Sequence, residues 1–531
     1  MYLKRKRKIY FAKDLCKWVF SAIALIFFTS AACAVPGEAN LNTILREFEE
    51  YAAKSMADWK VPGMAVVIVQ GDDIIYEKAF GVRRLGSPDP VTADTIFQIG
   101  STSKAFTAAL VAMLVDGGKV AWNDAVADHL DGFMMNDPWV TRQFTVTDLM
   151  AQRSGLPAHA GDTEAILGFS RGHIIDTIRF IKPVTSFRSA YAYQNCLFLA
   201  AARLVEKYME KSWEDSVRER IFTPLGMSSS SADLASFKNS RNVAALHRLI
   251  DGRIEELPMD WPSLDWVYIL APAGGINSNI RDMAKWLRLQ MGRGSFEGKE
   301  LVKSDSMRYM HTPKTIIDAG PGAARQYYCQ GWVYREACPA KGLVGGACPY
   351  PIIWHNGGTS GAKSMVAFMP QAKIGIVVLS NLNNTKLPES LAYRFFDIYS
   401  GNPERDWSAE ALAAASEEKK KEDLEKPKPP SEPLPAMPLA RYEGEYFNDV
   451  YGTVIVLREN EDLVATIGPR KTRMELKPFD RDIFTAAWDL YIEEEEASLV
   501  RFDVSPDGKA EALTISALED EGCGTFRKIS R

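Results

Sequence analysis

The stretch Thr95-Ile96-Phe97-Gln98-Ile99-Gly100-Ser101-Thr102-Ser103-Lys104-Ala105-Phe106-Thr107-Ala108-Ala109-Leu110 decides how this chain reads. An apolar, strand-like run reaches a glycine, and an alanine-rich helix follows from Ser103 to Asp116. That strand-turn-helix setting exposes a serine at the head of a helix. Residues at i and i+3 share a helix face, so the Lys104 amine can stand beside the Ser101 hydroxyl. A serine attacks a carbonyl when a neighbouring base takes its proton, and the positive end of the helix favours the negative charge that develops. The same spacing recurs at Ser360–Lys363 and Ser416–Lys419, so the setting, rather than the tetrad, singles out Ser101. Taken alone, it reads equally as an N-cap serine with a solvated lysine.

Two further stretches supply what such a serine needs. Tyr191-Ala192-Tyr193-Gln194-Asn195 precedes a helical apolar run (Leu197, Ala200, Ala201, Leu204) and offers a phenol and an amide to one pocket. An ammonium near a phenol favours phenolate, so either Lys104 or Tyr193 can serve as the base. Trp354-His355-Asn356-Gly357-Gly358-Thr359-Ser360-Gly361 stands immediately before a hairpin at 364–379. Its glycines let a substrate lie against a strand edge, and the Gly358 N–H can join that of Ser101 as an oxyanion hole. His159-Ala160-Gly161 has the same short pattern with no strand after it. The six histidines show no paired ligand spacing, so no metal and no cofactor are expected.

Ser101-Thr102-Ser103-Lys104, Tyr193-Gln194-Asn195 and His355-Asn356-Gly357 stand in the order and rough spacing of the penicillin-recognising serine hydrolases. The chain resembles their class C β-lactamase and S12 peptidase branch over residues 42–400. Ser154-Gly155-Leu156-Pro157, Ile221 to Met227 and Pro272-Ala273-Gly274-Gly275-Ile276 match as well. The resemblance implies a β-lactamase/transpeptidase-like α+β domain, an antiparallel sheet flanked by helices. It also implies acylation of Ser101, proton transfer shared by Lys104 and Tyr193, and a substrate amide held by Asn195. His355 then takes the place of the third-motif lysine, with Gly357 and Gly358 beside the substrate. A lysine there gives a permanent cation to a substrate carboxylate, whereas histidine near pH 7 gives much less charge. Esters and short peptides or amides, some with D-residues, are therefore expected ahead of β-lactams.

Outside these motifs the chain is ordinary globular protein: 531 residues, 46% hydrophobic and 25% charged. Five basic residues (Lys4 to Lys8), an apolar run from Trp18 to Phe28 and small residues through Ala34 read as a signal peptide over residues 1–34. Export to the periplasm or the medium follows, with membrane contact only through that segment; a retained N-terminal anchor is the other reading of the same run. The leader holds seven of the 63 Lys/Arg and one of the 68 Asp/Glu, so the remainder carries a net charge of −11. That balance argues against nucleic acid as a partner and leaves a small-molecule or short-peptide substrate. Oligomeric state is not legible. Of the five cysteines beyond the leader, Cys338 and Cys348 bracket a Gly/Pro-rich stretch and are the candidate disulfide.

Met64–Gln70 and Ile74–Tyr76 read as one hairpin, Ser364–Met369 and Ile374–Leu379 as another, with a mostly helical middle. Strands from both ends of 42–400 around helices predict an α+β domain closed by pairing its ends. Residues 405–438 form a charged helix and a Pro-rich linker. From 439 to 531 short alternating strands predict a small all-β domain, sandwich or barrel, and Tyr442 to Tyr446 with Tyr451-Gly452 resemble the lipocalin-like domain appended to some S12 peptidase relatives. Two rival readings exist. Gly168-Phe169-Ser170-Arg171-Gly172 matches the nucleophile elbow of α/β-hydrolases, but the acidic stretch before it is no strand. A non-catalytic scaffold that binds peptidoglycan-like or peptide ligands would keep the fold without turnover.

Overall fold

The computed structural model describes residues 38–250, 252–317, 324–336, 350–488, 498–519 and 521–529; the expected leader and the candidate Cys338/Cys348 disulfide lie outside the described residues. Eight antiparallel strands form the main sheet. They are β1 (Gly63–Gln70), β2 (Asp73–Gly81), β3 (Thr315–Ile317), β4 (Gln326–Tyr328), β5 (Val333–Arg335), β6 (Ile352–Gly358), β7 (Lys363–Met369) and β8 (Ile374–Ser380). Their order across the sheet is β2-β1-β8-β7-β6-β5-β4-β3. The two hairpins expected from sequence meet along β1 and β8, where Met64 faces Ser380 and Gln70 faces Ile374. The ends of the domain do pair.

β1 and β8 are buried along almost their whole length, which explains their unbroken apolar sequence. One set of alternating side chains (Ala65, Val67, Val69, Val377, Leu379) joins the core of the helical body. The other set lies on the face carrying helices α1 (Glu38–Asp58) and α5 (Leu387–Ser400), where Phe48 meets Phe395 edge-on at 5.7 Å. The helical body holds α2 (Lys104–Asp116), α3 (Cys196–Met209) and α4 (Ile280–Met291). Every residue of α2 from Lys104 to Leu114 is buried, so α2 is the central helix rather than an amphipathic surface one.

Helix α6 (Trp407–Glu425) buries Ser408 in its first turn and is exposed or half-buried elsewhere. There the Trp59 indole donates to Ser408 Oγ at 3.1 Å and the Trp407 indole to Asp397 at 2.6 Å. After the prolines, eight antiparallel strands from Gly444 to Lys528 close into a barrel, each paired with the next and the last with the first. Inward residues such as Tyr446, Val454, Val456, Phe484, Phe502 and Phe526 fill it. The expectation of a sandwich or barrel thus resolves as a barrel. Cys196, Cys329 and Cys523 are buried free thiols. No helix among the described residues is long and apolar enough to cross a membrane.

Candidate active site

Ser101 does not sit in the α-helix itself. Gly100–Ser103 is a 3₁₀ turn that runs into α2, and with three residues per turn the side chains at i and i+3 eclipse. Lys104 Nζ accordingly stands 3.1 Å from Ser101 Oγ. The other hydroxyls of the turn lock it in place. Thr102 donates to the Ile99 carbonyl at 2.9 Å, and Ser103 Oγ accepts from the Ile276 N–H at 3.1 Å. Gly100 must be glycine: its φ is +52°, and a Cβ would lie 2.6 Å from the Gly358 nitrogen. A Cβ on Gly357 would lie 2.0 Å from the Ile99 carbonyl oxygen and 2.9 Å from the Ser101 nitrogen. These close approaches pack the Gly357-Gly358 backbone directly against the turn that carries Ser101.

Lys104 is wholly buried. Its amine contacts Ser101, Asn195 Oδ1 at 2.5 Å and the Ala273 carbonyl at 3.0 Å, and it lies 4.5 Å from the centre of the Tyr193 ring. Burial pulls its pKa down to about 7, with Asp162 restoring part of the loss. Tyr193 moves the other way. Burial pushes its phenol well above the ordinary value, and a hydrogen bond with Ser101 offsets only part of that. The ammonium that would favour phenolate is itself lost as Lys104 titrates near 7, so desolvation sets the direction. The loop carrying Tyr193 is clamped from below, because Gln152 Oε1 accepts from the Gln194 N–H at 2.7 Å and Ser154 donates to the Gln194 side chain at 3.0 Å. The Ser154 to Pro157 stretch therefore serves the tyrosine loop, and Pro272 to Ile276 serves the serine turn.

His355 lies on β6, buried, its ring 6.3 Å from that of Tyr193. Nε2 pairs with the Tyr328 hydroxyl at 3.0 Å and Nδ1 with the Asn356 carbonyl at 2.5 Å. Burial, with the Lys104 charge adding to it, lowers its pKa to about 3, so it is a neutral imidazole. Asn356 turns to the opposite face and donates to Glu389 of α5 at 2.7 Å. Lys363 shares that face, its Nζ 2.9 Å from where a Gly358 Cβ would stand.

The structure thus brings Ser101, Lys104, Tyr193, Asn195, Gly357 and Gly358 into one cluster with His355 behind it. Three members escaped the sequence reading. Asp162 Oδ2 accepts from Asn195 Nδ2 at 2.7 Å and pairs with His159 Nδ1 at 2.9 Å. Tyr328, on a three-residue strand, braces His355, and the Ala273 carbonyl holds the lysine. The short His159-Ala160-Gly161 pattern was the sole trace of Asp162. Ser170, the serine of the rival elbow, caps the helix Arg171–Thr177 by accepting from the His173 N–H at 3.2 Å, and no strand precedes it.

A serine and a buried lysine one turn apart, at the head of the central helix of an α+β domain, define the β-lactamase/transpeptidase-like class. The chain belongs to the Beta-lactamase family, whose model matches residues 48–398; a domain of unknown function (DUF3471) matches 428–524. It is 28% identical over 496 residues to unguisins hydrolase ungD' of Aspergillus campestris, covering 87% of this chain and 88% of that one. Penicillin-binding protein 4 of Amycolatopsis lactamdurans is 29% identical over 333 residues, 60% of this chain and 81% of that one. The octameric penicillin-binding protein homologue from Pyrococcus abyssi shares the fold with a TM-score of 0.57 at 20% identity, covering 89% of this chain and 98% of that one.

Proposed function

We propose that this chain is a serine hydrolase that opens a small ester, amide or short peptide through a Ser101 acyl-enzyme. The observation that carries the reading is the buried Lys104 amine, 3.1 Å from Ser101 Oγ with a pKa of about 7. Near neutrality a large fraction of it is free base and can take the serine proton as Oγ bonds to the substrate carbonyl carbon. The carbonyl oxygen becomes an oxyanion between the Ser101 and Gly358 N–H groups. The tetrahedral species collapses and expels the alcohol or amine, which leaves with the proton held by Lys104. Water, deprotonated by the same amine, then attacks the acyl group and restores the serine. Tyr193, held as a phenol, fits proton donation and relay better than the role of base. Asn195 orients the amine and the substrate amide.

The neutral imidazole of His355 supports substrates that carry no carboxylate next to the scissile bond. Lys363 is a cation on the opposite face of the strand end and does not replace it in position. The word hydrolase in the name of the Aspergillus campestris relative supports hydrolysis over binding alone. The leader at 1–34 supports action outside the cytoplasm, in the periplasm or the medium. A panel of p-nitrophenyl esters, D- and L-aminoacyl p-nitroanilides and a chromogenic cephalosporin tests the reading. Ester or aminoacyl turnover that disappears in Ser101→Ala is expected. Predominant cephalosporin turnover would overturn the substrate preference, and turnover surviving in Ser101→Ala would overturn the mechanism.

A further inference from the structure

The barrel pushes a carboxylate into the wall of the site. Glu521 is 5% exposed. Its Oε2 accepts from the Gly161 N–H at 3.1 Å and from the Tyr451 hydroxyl at 3.0 Å. Its Oε1 accepts from the Thr163 hydroxyl at 3.0 Å and from the Thr163 N–H at 3.4 Å. Together these cap the helix Asp162–Ile166, whose N-cap, Gly161, has no side chain to do so and a φ of +86°. A capping carboxyl ordinarily comes from the N-cap residue; here it comes from the far end of the chain.

The capped turn begins with Asp162. An amide has one acceptor and one donor end, so Asn195 can present Oδ1 to Lys104 only while Nδ2 has an acceptor of its own. Asp162 Oδ2 is that acceptor. Asp162 is therefore what keeps the Asn195 amide the right way round for the lysine, and the Glu521 cap is what holds Asp162 there. We propose that Glu521 and Tyr451, both from the C-terminal barrel, are positioning residues for the Lys104 amine, so that the barrel is a working part of the active site. A second barrel contact holds the other end of the same helix. Arg470 reaches the Ile166 carbonyl and the Asp265 carboxylate and fills the space over Gly168. It holds the last carbonyl of that helix and leaves the cap at Asp162 untouched.

The kinetic test rests on the hydrolase reading; the exchange test does not. Full-length Glu521→Gln, Tyr451→Phe and Arg470→Ala are compared with the unsubstituted protein by p-nitrophenyl ester kinetics and by amide hydrogen exchange. Glu521→Gln should lower kcat about tenfold or more, because small displacements of a catalytic group are costly, while KM changes little. It should also speed exchange at 159–166 and 193–196. Tyr451→Phe, with one hydrogen bond lost, should show the same pattern in weaker form, and it carries the test if Glu521→Gln fails to fold. Arg470→Ala should leave kcat and the 193–196 amides unchanged. Glu521→Gln matching the unsubstituted protein, or matching Arg470→Ala in both readouts, would overturn the proposal. If the unsubstituted protein turns over neither the esters nor the aminoacyl p-nitroanilides, the hydrolase reading falls, and unchanged exchange at 193–196 in Glu521→Gln would separately overturn the positioning role.

Discussion

Replacing Lys104 by methionine keeps an apolar stem and removes the amine. In the unfolded chain that amine titrates at its ordinary 10.5; in the native protein burial brings it to about 7. At about 1.4 kcal/mol per pH unit, the gap corresponds to about 5 kcal/mol by which folding is disfavoured below pH 7. Between pH 7 and 10.5 the unfolded chain holds more protons than the native one, so stability rises with pH across that window. Methionine has no such dependence. It also strips the donor from Asn195 Oδ1 and the Ala273 carbonyl, at about 1–3 kcal/mol each, but that cost does not vary with pH. The informative quantity is therefore the slope. Urea unfolding of both proteins at pH 7, 8 and 9 should show the unsubstituted protein gaining about 2–3 kcal/mol on Lys104→Met from pH 7 to pH 9. In parallel, its kcat/KM should climb through about pH 7 to a plateau. Lys104→Met should lose about 10²–10⁴-fold in rate together with that acid limb. A stability difference that stays flat with pH would mean that the amine remains charged in the folded protein, and the base assignment would fail.

Other substitutions test separate parts of the site. Gly357→Ala would place a Cβ 2.0 Å from the Ile99 carbonyl oxygen; acyl transfer should fall about 10²-fold or more with the far-UV circular dichroism retained. Tyr193→Phe should slow turnover yet leave the acid limb near pH 7 in place, whereas loss of that limb would make the tyrosine the base. His355→Lys introduces a second amine against Lys104. Like charges disfavour each other's protonation, so the acid limb should move below pH 7, and cephalosporin turnover should rise relative to ester turnover.

Much of this architecture is legible in local pattern. The nucleophile turn, the two hairpins and helices such as Ile280–Met291 announce themselves through apolar runs and glycines, because each is built from neighbours in sequence. The far side of the sheet is not: β3, β4 and β5 are three residues each, too short to show alternation, and they hide Tyr328. The pocket walls are also silent in sequence. Asp162 matters through a hydrogen bond to a residue 33 positions away and Glu521 through one 360 positions away. The direction of the Tyr193 pKa shift was equally out of reach, since the neighbouring lysine is visible in the motif but the burial that raises the phenol and lowers the lysine is a property of the folded protein.

The central claim is that Ser101 is an activated nucleophile. Incubating the full-length protein with a fluorophosphonate and mapping the adduct by peptide mass spectrometry addresses it directly. The account predicts one adduct, on Ser101, forming faster as pH rises through about 7 and absent from Ser101→Ala. No adduct, or an adduct that persists in Ser101→Ala, would contradict it.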